Sequence, residues 1–425
     1  MRVSLDVSVR HLTRVEGHGD IRIRVREGQL EEARWDVVET PRFFEAMLRG
    51  QHYGTAGILT ARICGICSIG HCLASVRATE AAFGVEVPPL AARLRLLAKH
   101  GETLQSHALH VLFLAAPDFL GLESAIPLVD TRPELFALAA RIKGCANTLC
   151  DVVAGRTTHP VSIAVGGMAR RPDRRRLRDV RALLDGVRGD LDGVVALVRG
   201  FELPHFTRET EFVSLLGDGA YPWIGGRLLS SDGVELPESD YARMTNEYVP
   251  ETGTSKLCKL SRASFAVGAL ARFNNNHAWL RPAARAAADE LGLHAPSHNP
   301  FMNTVAQVVE MVQVTHEALD LIDAITDTDD AAPIAAEVKP RAGEGVGAVE
   351  VPRGILYHHY VYNESGRVLR ADCVIPTTQN NANIQLDLQR LALEQTRNGT
   401  TDAALERLAC MLVRSYDPCI SCSVH

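Results

Sequence analysis

The sequence predicts a mainly helical α+β fold with small β elements near both chain ends. Three observations lead to this prediction. Apolar residues alternate with charged ones over residues 20–26, and strand-like patterns return over residues 346–375. Between these two regions, apolar residues recur at helical spacing in several long segments. No internal repeat or low-complexity linker divides the chain, so we expect residues 1–425 to form a single cooperative domain.

The first part of this domain, about residues 1–40, is predicted to be a β-hairpin region. Residues 20–26 form one strand, and residues 30–39 return as the second strand after a turn at Gly28. Glu16 lies just before this hairpin, in a position where an acidic side chain is usually solvated.

The helical body is predicted to span about residues 42–340. A short helix follows residue 42, and a longer one over residues 68–83 ends at Gly84. Pro, Gly and aromatic residues over 205–235 indicate a hairpin-like excursion. The other predicted helices of the body cover residues 89–116, 132–155, 172–200, 264–291 and 300–328.

The last part, about residues 346–425, is predicted to close over the centre of the molecule. It contains two strands, 346–363 and 366–375, followed by helices over 379–397 and 401–414. The second helix returns the chain towards its final cysteines.

Composition limits the classes of function. Hydrophobic residues make up 46% of the chain, which supports a large core, and the net charge of -6 gives no case for a nucleic-acid partner. No apolar stretch approaches the ~18 residues that span a bilayer, and the N-terminus lacks a signal-peptide pattern. Ten cysteines in so long a chain do not form a disulfide scaffold. We therefore expect a protein of the reducing cytoplasm without a membrane span.

Two cysteine pairs stand near opposite ends of the chain, Cys64 with Cys67 and Cys419 with Cys422. The C-x-x-C spacing allows two thiolates to grip one soft metal ion, because a tight turn brings both sulfurs to one side. Two such pairs predict a four-thiolate site that joins the two ends of the chain. From the spacing alone, a zinc site explains the pairs equally well.

The residues around these cysteines carry a specific resemblance. The chain contains Arg-Ile-Cys-Gly-Ile-Cys at 62–67 with His71 after it, and Asp-Pro-Cys-x-x-Cys-x-x-His at 417–425. Both patterns, in this order, resemble the large subunit of nickel–iron hydrogenases. Further matches to that family are found at 14–18, 41–45, 352–354 and 376–378.

The resemblance implies a set of metal ligands. Cys64 and Cys419 would bind nickel terminally, and Cys67 and Cys422 would bridge nickel and iron, with carbon monoxide and two cyanides on the iron. A magnesium ion, replaced by iron in some relatives, would lie near the chain terminus. Its implied ligands are Glu45, His425 and the backbone carbonyl of Cys373.

The resemblance also implies roles for residues around the metals. Cys419 would be the first proton acceptor, and Glu16 the next proton carrier. Arg353 would face the open side of the metals, and Thr377 would donate its hydroxyl to one cyanide. His71 would hydrogen-bond to the thiolate cluster. Pro352 and Pro376 are expected to contact the cofactor beside these residues, and Ser106 stands where many respiratory relatives have an aspartate.

The implied function is reversible heterolytic cleavage of dihydrogen. The remaining cysteines show no spacing for an iron–sulfur cluster, so an iron–sulfur small subunit is required. Further flavin or iron–sulfur subunits would pass electrons to a soluble acceptor such as NAD(P), because residues 41–46 look closest to the NADP-linked sulfhydrogenase branch. Maturation proteins would assemble the centre, and a C-terminal peptidase would cut after His425, which makes this sequence the processed form.

Two alternatives remain. The quinone-module subunit of respiratory complex I is related to these hydrogenases, but it lacks the four cysteines that this chain keeps. A zinc-stapled structural protein would also use the four cysteines. One nickel and one iron per chain, rather than one zinc, would separate the hydrogenase from this alternative.

Overall fold

The computed structural model describes residues 4–251 and 253–425, and it has the predicted α+β fold dominated by helices. The helices are α1 Phe44–Leu48, α2 Tyr53–Thr60, α3 Ser68–Phe83, α4 Pro89–Leu109, α5 Ala116–Leu120, α6 Leu128–Thr131, α7 Pro133–Ala154, α8 Arg174–Arg199, α9 Tyr241–Thr245, α10 Ala269–Asn276, α11 Pro282–Glu290, α12 Met302–Thr326, α13 Pro376–Arg397, α14 Asp402–Ser415 and α15 Ile420–Ser423. The strands are β1 Leu5–Val9, β2 Gly19–Arg26, β3 Gln29–Val37, β4 Ile163–Ala164, β5 Gly167–Met168, β6 Glu211–Leu215, β7 Arg227–Ser230, β8 Glu235–Pro237, β9 Phe265–Ala266, β10 Gly343–Val351, β11 Gly354–Tyr362 and β12 Val368–Val374.

The N-terminal region is a three-stranded antiparallel sheet in the order β1-β2-β3. The predicted hairpin corresponds to β2 and β3. The sequence prediction missed β1, which pairs with β2 from Leu5 opposite Val25 to Val9 opposite Ile21. Residues 1–3 of the predicted region lie outside the described residues.

Two long predicted helices of the body are interrupted. The helix predicted over 89–116 ends as α4 and continues through one π-helical turn, His110–Ala115, into α5. The helix predicted over 264–291 is wrong, because β9, α10 and α11 occupy that segment. Gly268 has a φ of +118° directly before α10, and Pro282 begins α11, so neither residue continues a preceding helix. The excursion at 205–235 forms β6, β7 and β8, which join β9 in a four-stranded sheet.

The C-terminal sheet, β10-β11-β12, packs directly on α3. Glycines on β10 permit this close approach, since a Cβ atom on Gly345 would lie 2.3 Å from the carbonyl oxygen of Ala78. The packing places the start of α3 beside the turn between β10 and β11, which contains Pro352 and Arg353.

The chain ends are tied together by hydrogen bonds. The N–H of Ile420 donates to the carbonyl of Glu16 at 2.9 Å, and the N–H of Arg42 donates to the carbonyl of Val424 at 2.7 Å. The hydroxyl of Ser255 donates to the carbonyl of Ser423 at 3.2 Å. Within residues 4–251 and 253–425, no helix combines the length and apolar character needed to cross a lipid bilayer.

Candidate metal centre

The structure brings the two cysteine pairs together although most of the chain separates them. The sulfur atoms of Cys64, Cys67, Cys419 and Cys422 all lie within 4.8 Å of one another, and all four residues are buried. Cys67 immediately precedes α3, and Cys419 immediately precedes α15. The turn at the start of each helix directs both sulfurs of a pair to the same point.

The sulfurs of this four-cysteine cluster interact with one another. Cys64 Sγ accepts a hydrogen bond from the N–H of Cys67 at 3.2 Å and lies 3.6 Å from Cys419 Sγ. Hydrogen bonding from Cys67 lowers the pKa of Cys64. Burial acts to raise this pKa, and the positive charge of Arg353 acts to lower it further. Cys419 and Cys422 are joined as a disulfide in the structure. Only their reduced form offers two thiolates, and the reduced cluster is a buried four-sulfur donor set of the kind that binds soft metal ions.

Glu16 touches this cluster. Its Oε2 lies 3.1 Å from Cys419 Sγ and accepts the N–H of Ser421 at 3.2 Å. Its Oε1 accepts the hydroxyl of Ser421. Glu16 is therefore a partly buried residue in direct contact with a cysteine sulfur, whereas an acidic loop residue is usually fully solvated.

Arg353 is buried next to the cysteines. Its Nε donates to the carbonyl of Asp417 at 2.7 Å, and its Nη2 pairs with Asp417 Oδ1 at 2.9 Å. Burial disfavours the charged form of Arg353, but Asp417, Cys64 and Cys67 outweigh it and raise the pKa. Among the described residues, its Nη1 is buried without a hydrogen-bond partner. An unpaired donor on a buried cation beside four sulfurs fits a hydrogen-bond acceptor held at the cluster.

Helix α13 begins beside the cluster with Pro376 and Thr377. Pro376 occupies the first helical position. An N–H at this position would have no acceptor within the helix, so proline loses no hydrogen bond there. Thr377 Oγ1 accepts the N–H of Cys419 at 2.9 Å, which leaves its hydroxyl hydrogen for another acceptor. The carbonyl of Pro352 accepts a hydrogen bond from Arg272 at 3.1 Å.

His71 lies one helical turn after Cys67 and is buried. Its Nδ1 lies 3.2 Å from His358 Nε2, and His358 Nδ1 lies 2.6 Å from the hydroxyl of Tyr360. Burial, reinforced by His358, lowers the pKa of His71 well below its usual range, and burial lowers that of His358 to about 3. The structure thus pairs the His71 ring with His358, and the predicted hydrogen bond to the thiolates stays a prediction.

The three predicted magnesium ligands meet near the chain terminus. Glu45 Oε1 lies 3.4 Å from His425 Nε2 and accepts the N–H of Cys373 at 2.9 Å. The prediction concerned the carbonyl of Cys373, whereas its N–H makes the contact with Glu45. Burial favours the neutral form of Glu45, but His425 and Lys256 outweigh it and lower the pKa to about 2. Glu45 is therefore a carboxylate at neutral pH.

Sequence reasoning missed two residues of this second group, Lys256 and Glu247. Lys256 Nζ lies 2.6 Å from Glu247 Oε2 and 3.9 Å from Glu45 Oε1. The other carboxylate oxygen of Glu247 is buried and has no hydrogen-bond partner in the described chain. An unpaired carboxylate oxygen near Glu45 fits a hard cation, which prefers oxygen ligands. Both residues lie in an irregular segment, where no periodic pattern could have pointed to them.

Asp417 is a further residue that sequence reasoning left without a role. It is buried and binds Arg353 through both its carboxylate and its carbonyl. The available signal was its position two residues before Cys419.

Comparison with known proteins agrees with this geometry. A family model described as nickel-dependent hydrogenase matches residues 42–135 and 260–425, and one described as HoxL-like matches residues 6–40. The sulfhydrogenase 2 subunit alpha of Pyrococcus furiosus is 31% identical over 99% of this chain and 98% of its own length. The NAD-reducing hydrogenase HoxS subunit beta of Cupriavidus necator is 26% identical, over 97% of this chain and 93% of its own length.

A solved structure extends the comparison to the fold. A crystal structure of an NAD+-reducing [NiFe]-hydrogenase in the H2-reduced state matches with a TM-score of 0.89 and 28% identity, over 99% of both chains. The nickel-dependent hydrogenase model alone matches more than half of the sequence. The chain therefore belongs to the nickel-dependent hydrogenase family, as a large, catalytic subunit.

Proposed function

We propose that this chain catalyses the reversible heterolytic cleavage of dihydrogen at a nickel–iron centre and delivers the electrons to an iron–sulfur small subunit. One observation carries the proposal: four buried cysteine sulfurs lie within 4.8 Å of one another, and Glu16 Oε2 is 3.1 Å from one of them. Four soft thiolates suit nickel. A carboxylate in contact with one of them suits proton transfer.

The cysteines would divide the binding of the two metals. Cys64 and Cys419 would hold nickel, and Cys67 and Cys422 would hold nickel and iron together. When bound, this centre, with carbon monoxide and two cyanides on iron, supplies the metal chemistry that converts dihydrogen into two protons and two electrons. Burial of all four cysteines would keep bulk water away from it.

Five other residues would orient the centre. Arg353 would use its unpaired Nη1 donor, and Thr377 its hydroxyl hydrogen, to bind the diatomic ligands of the iron. Pro352 and Pro376 would fix the backbone on either side of these donors. His71 would contribute an N–H towards the thiolates, with His358 behind it to hold the ring in place.

A proton would leave through side chains of this subunit. Cys419 Sγ would take it first, and Glu16 Oε2 would accept it across the 3.1 Å contact. Ser421 holds the Glu16 carboxylate in that orientation by donating to both of its oxygens. Because Glu16 is partly exposed, it can release the proton towards solvent.

Electrons would leave through other subunits. Among the described residues, no cysteine outside the four-cysteine cluster belongs to a group of three or more side chains with metal-binding geometry, so we assign electron transfer to other subunits. An iron–sulfur small subunit would take the electrons, and flavin or iron–sulfur subunits would pass them to NAD(P). The names of relatives support this choice, since one is an NAD-reducing hydrogenase and another a sulfhydrogenase. Assembly by maturation proteins, including a C-terminal peptidase, would take place in the cytoplasm.

A second cation, magnesium or ferrous iron, would bind at Glu45, His425 and the carbonyl of Cys373. Glu247 would add its unpaired carboxylate oxygen, directly or through water. This cation would hold the C-terminal segment over the cysteine cluster.

Analysis of the purified complex tests the proposal. We expect one nickel and one iron per chain, infrared bands of metal-bound carbon monoxide and cyanide, and hydrogen-dependent reduction of NAD(P). Stoichiometric zinc without those bands would overturn the proposal and support the zinc-stapled alternative. The same samples report magnesium, which should be lost selectively from a Glu45→Gln variant.

A further inference from the structure

A row of buried, hydrogen-bonded side chains leads from Arg353 away from the cysteine cluster. Asp417, which holds the Arg353 guanidinium, also accepts a hydrogen bond from Gln307 Nε2 at 3.1 Å. Gln307 Oε1 lies 2.5 Å from His110 Nδ1, and His110 Nε2 lies 2.8 Å from the carbonyl oxygen of Arg414. Arg353, Asp417, Gln307 and His110 are each at most 4% exposed. These hydrogen-bonded side chains therefore connect the metal side to the residue that follows α4, and solvent does not reach them.

The two ends of this row of side chains fix the direction of each hydrogen bond. The carboxylate of Asp417 and the carbonyl of Arg414 can only accept. Gln307 must therefore give its N–H to Asp417 and present its carbonyl oxygen to His110. His110 then faces an acceptor at each ring nitrogen, the Gln307 oxygen at Nδ1 and the Arg414 carbonyl at Nε2, and it bonds to both when both nitrogens carry a hydrogen. Rotation of the Gln307 amide would place its oxygen against the Asp417 carboxylate, so the arrangement has a single favourable orientation.

The backbone around these residues is specialised. His110 begins the π-helical turn of residues 110–115, a local distortion that often occurs at functional sites. Asp417 has a φ of +49°, an unusual conformation for a residue with a side chain. Its N–H donates to the carbonyl of Arg414 at 2.8 Å, the same carbonyl that accepts from His110. Asp417 is thus held through its backbone and its side chain at the same time.

We propose that Gln307 and His110 are positioning residues for Arg353. The proposal rests on the function proposed above, in which the unpaired Nη1 of Arg353 faces a group bound at the cysteine cluster. Nη1 keeps that direction only while Nε and Nη2 stay on Asp417. Gln307 fixes the carboxylate that Nη2 binds, and His110 fixes the amide of Gln307.

The main test replaces Gln307 by methionine, which preserves length and removes both hydrogen bonds. Gln313→Met is the matched control, because Gln313 is a buried glutamine of α12 with two hydrogen bonds of its own, to Arg281 and Glu317. In the holoenzyme, Gln307→Met should keep nickel and iron content, shift the infrared bands of the iron ligands and lower kcat about tenfold. Gln313→Met should leave the infrared bands unchanged.

A double-mutant cycle tests whether the effect passes through Arg353. In an Arg353→Lys background, Gln307→Met should lower kcat by less than about threefold, because the guanidinium that it positions is already gone. Full additivity of the two substitutions, or unchanged infrared bands in Gln307→Met, would overturn the proposal.

Crystal structures of the same variants separate this proposal from the function on which it rests. Gln307→Met should displace the Arg353–Asp417 pair even in protein without metal, and an undisturbed pair would count against a positioning role. Absence of nickel from the wild-type enzyme would instead refute the proposed function. His110→Asn, which offers a single donor group in place of two ring nitrogens, gives a second variant with the same expected displacement should Gln307→Met fail to fold.

Discussion

Two buried charged regions of the protein, one around Arg272 and one at the proposed metal sites, differ in how completely their charges are paired. In the first region, all five N–H groups of Arg272 have acceptors. Glu310 binds Arg272 Nε and Nη2 at 2.6 Å each, and Glu350 binds Nη1 at 3.0 Å. The carbonyls of Val351 and Pro352 accept the remaining two N–H groups. We call Arg272, Glu310 and Glu350 the Arg272 cluster.

The metal side leaves polar atoms unpaired. Within residues 4–251 and 253–425, Arg353 Nη1 and Glu247 Oε1 are buried and have no hydrogen-bond partner. A buried polar atom without a partner costs about 1–3 kcal/mol, so such atoms are rare unless something binds them. Between these two regions, therefore, the Arg272 guanidinium is completely paired within the scaffold, whereas the unpaired atoms of Arg353 and Glu247 are available to a bound ligand.

Loss of a metal ligand should have the largest effect. It should abolish metal binding and leave the Arg272 cluster intact. Cys422→Ala removes a soft donor that water cannot replace, so we expect a folded chain without stoichiometric nickel and without hydrogen turnover. Elemental analysis and circular dichroism of the purified variant measure both properties. Cys410→Ala changes another buried cysteine, in α14, and should retain nickel. Full nickel content and turnover in Cys422→Ala would refute the assigned ligand set.

Breaking the Arg272 cluster should affect stability before it affects chemistry. Arg272→Met leaves Glu310 and Glu350 buried without their cation, which should lower the free energy of unfolding by about 3–5 kcal/mol. Urea unfolding followed by circular dichroism measures this change. The control is Arg181→Met, which breaks the exposed pair with Asp323 and should lower the free energy of unfolding far less. Similar losses in the two variants would mean that complete pairing does not stabilise the scaffold.

Glu16→Gln should separate proton transfer from assembly. Glutamine keeps the shape of Glu16 and one acceptor oxygen but cannot carry a proton at neutral pH. Metal content and infrared bands should match wild type, while hydrogen turnover falls about a hundredfold. Exchange of deuterium with solvent should nearly stop while para–ortho hydrogen conversion continues. The control is Glu39→Gln, which changes a carboxylate that binds His18 and should leave turnover unchanged. Normal turnover in Glu16→Gln would mean that the proton leaves by another route.

Acid should weaken the Arg272 cluster through Glu310. Burial favours the neutral form of Glu310, but Arg272 and His107 outweigh it and lower the pKa from 4.5 to about 2. A lowered carboxyl pKa stabilises the folded state above the unfolded pKa, and this contribution is lost as pH falls from 4.5 towards 2. Over that window, the free energy of unfolding should fall as the pH falls, and it should fall more steeply in wild type than in Glu310→Gln. The two slopes should differ by up to about 1.4 kcal/mol per pH unit.

Urea unfolding at several pH values measures this difference. Glu350 contributes with the opposite sign, because burial raises its pKa, and it is present in both proteins. Parallel pH profiles for wild type and Glu310→Gln would contradict the assignment.

The regular elements with strong periodicity could be predicted from the sequence. The predicted helix 68–83 is confirmed as α3, and the helices predicted over 172–200 and 300–328 correspond to α8 and α12. Helical periodicity depends on residues three or four positions apart, so it can be read locally. The cysteine spacing and its neighbours likewise predicted the family.

The weaker elements depended on contacts that no local pattern contains. Strand β1 is a short alternating segment, and its place in the sheet follows from pairing with β2. The segment 264–291 has helical periodicity, yet Phe265 and Ala266 pair with β6 and form a strand. In both cases, a tertiary hydrogen-bond ladder decided between conformations that the local sequence allows.

The family, the α+β class and the residue types gathered around the cysteine cluster follow from the sequence alone. Only the tertiary structure decided which buried charges are paired. Arg272 finds its acceptors 38 to 80 residues further along the chain, and Gln307 reaches Asp417 across 110 residues. Pairing depends on atoms brought within about 3 Å by the packing of whole elements, and no local pattern encodes that distance.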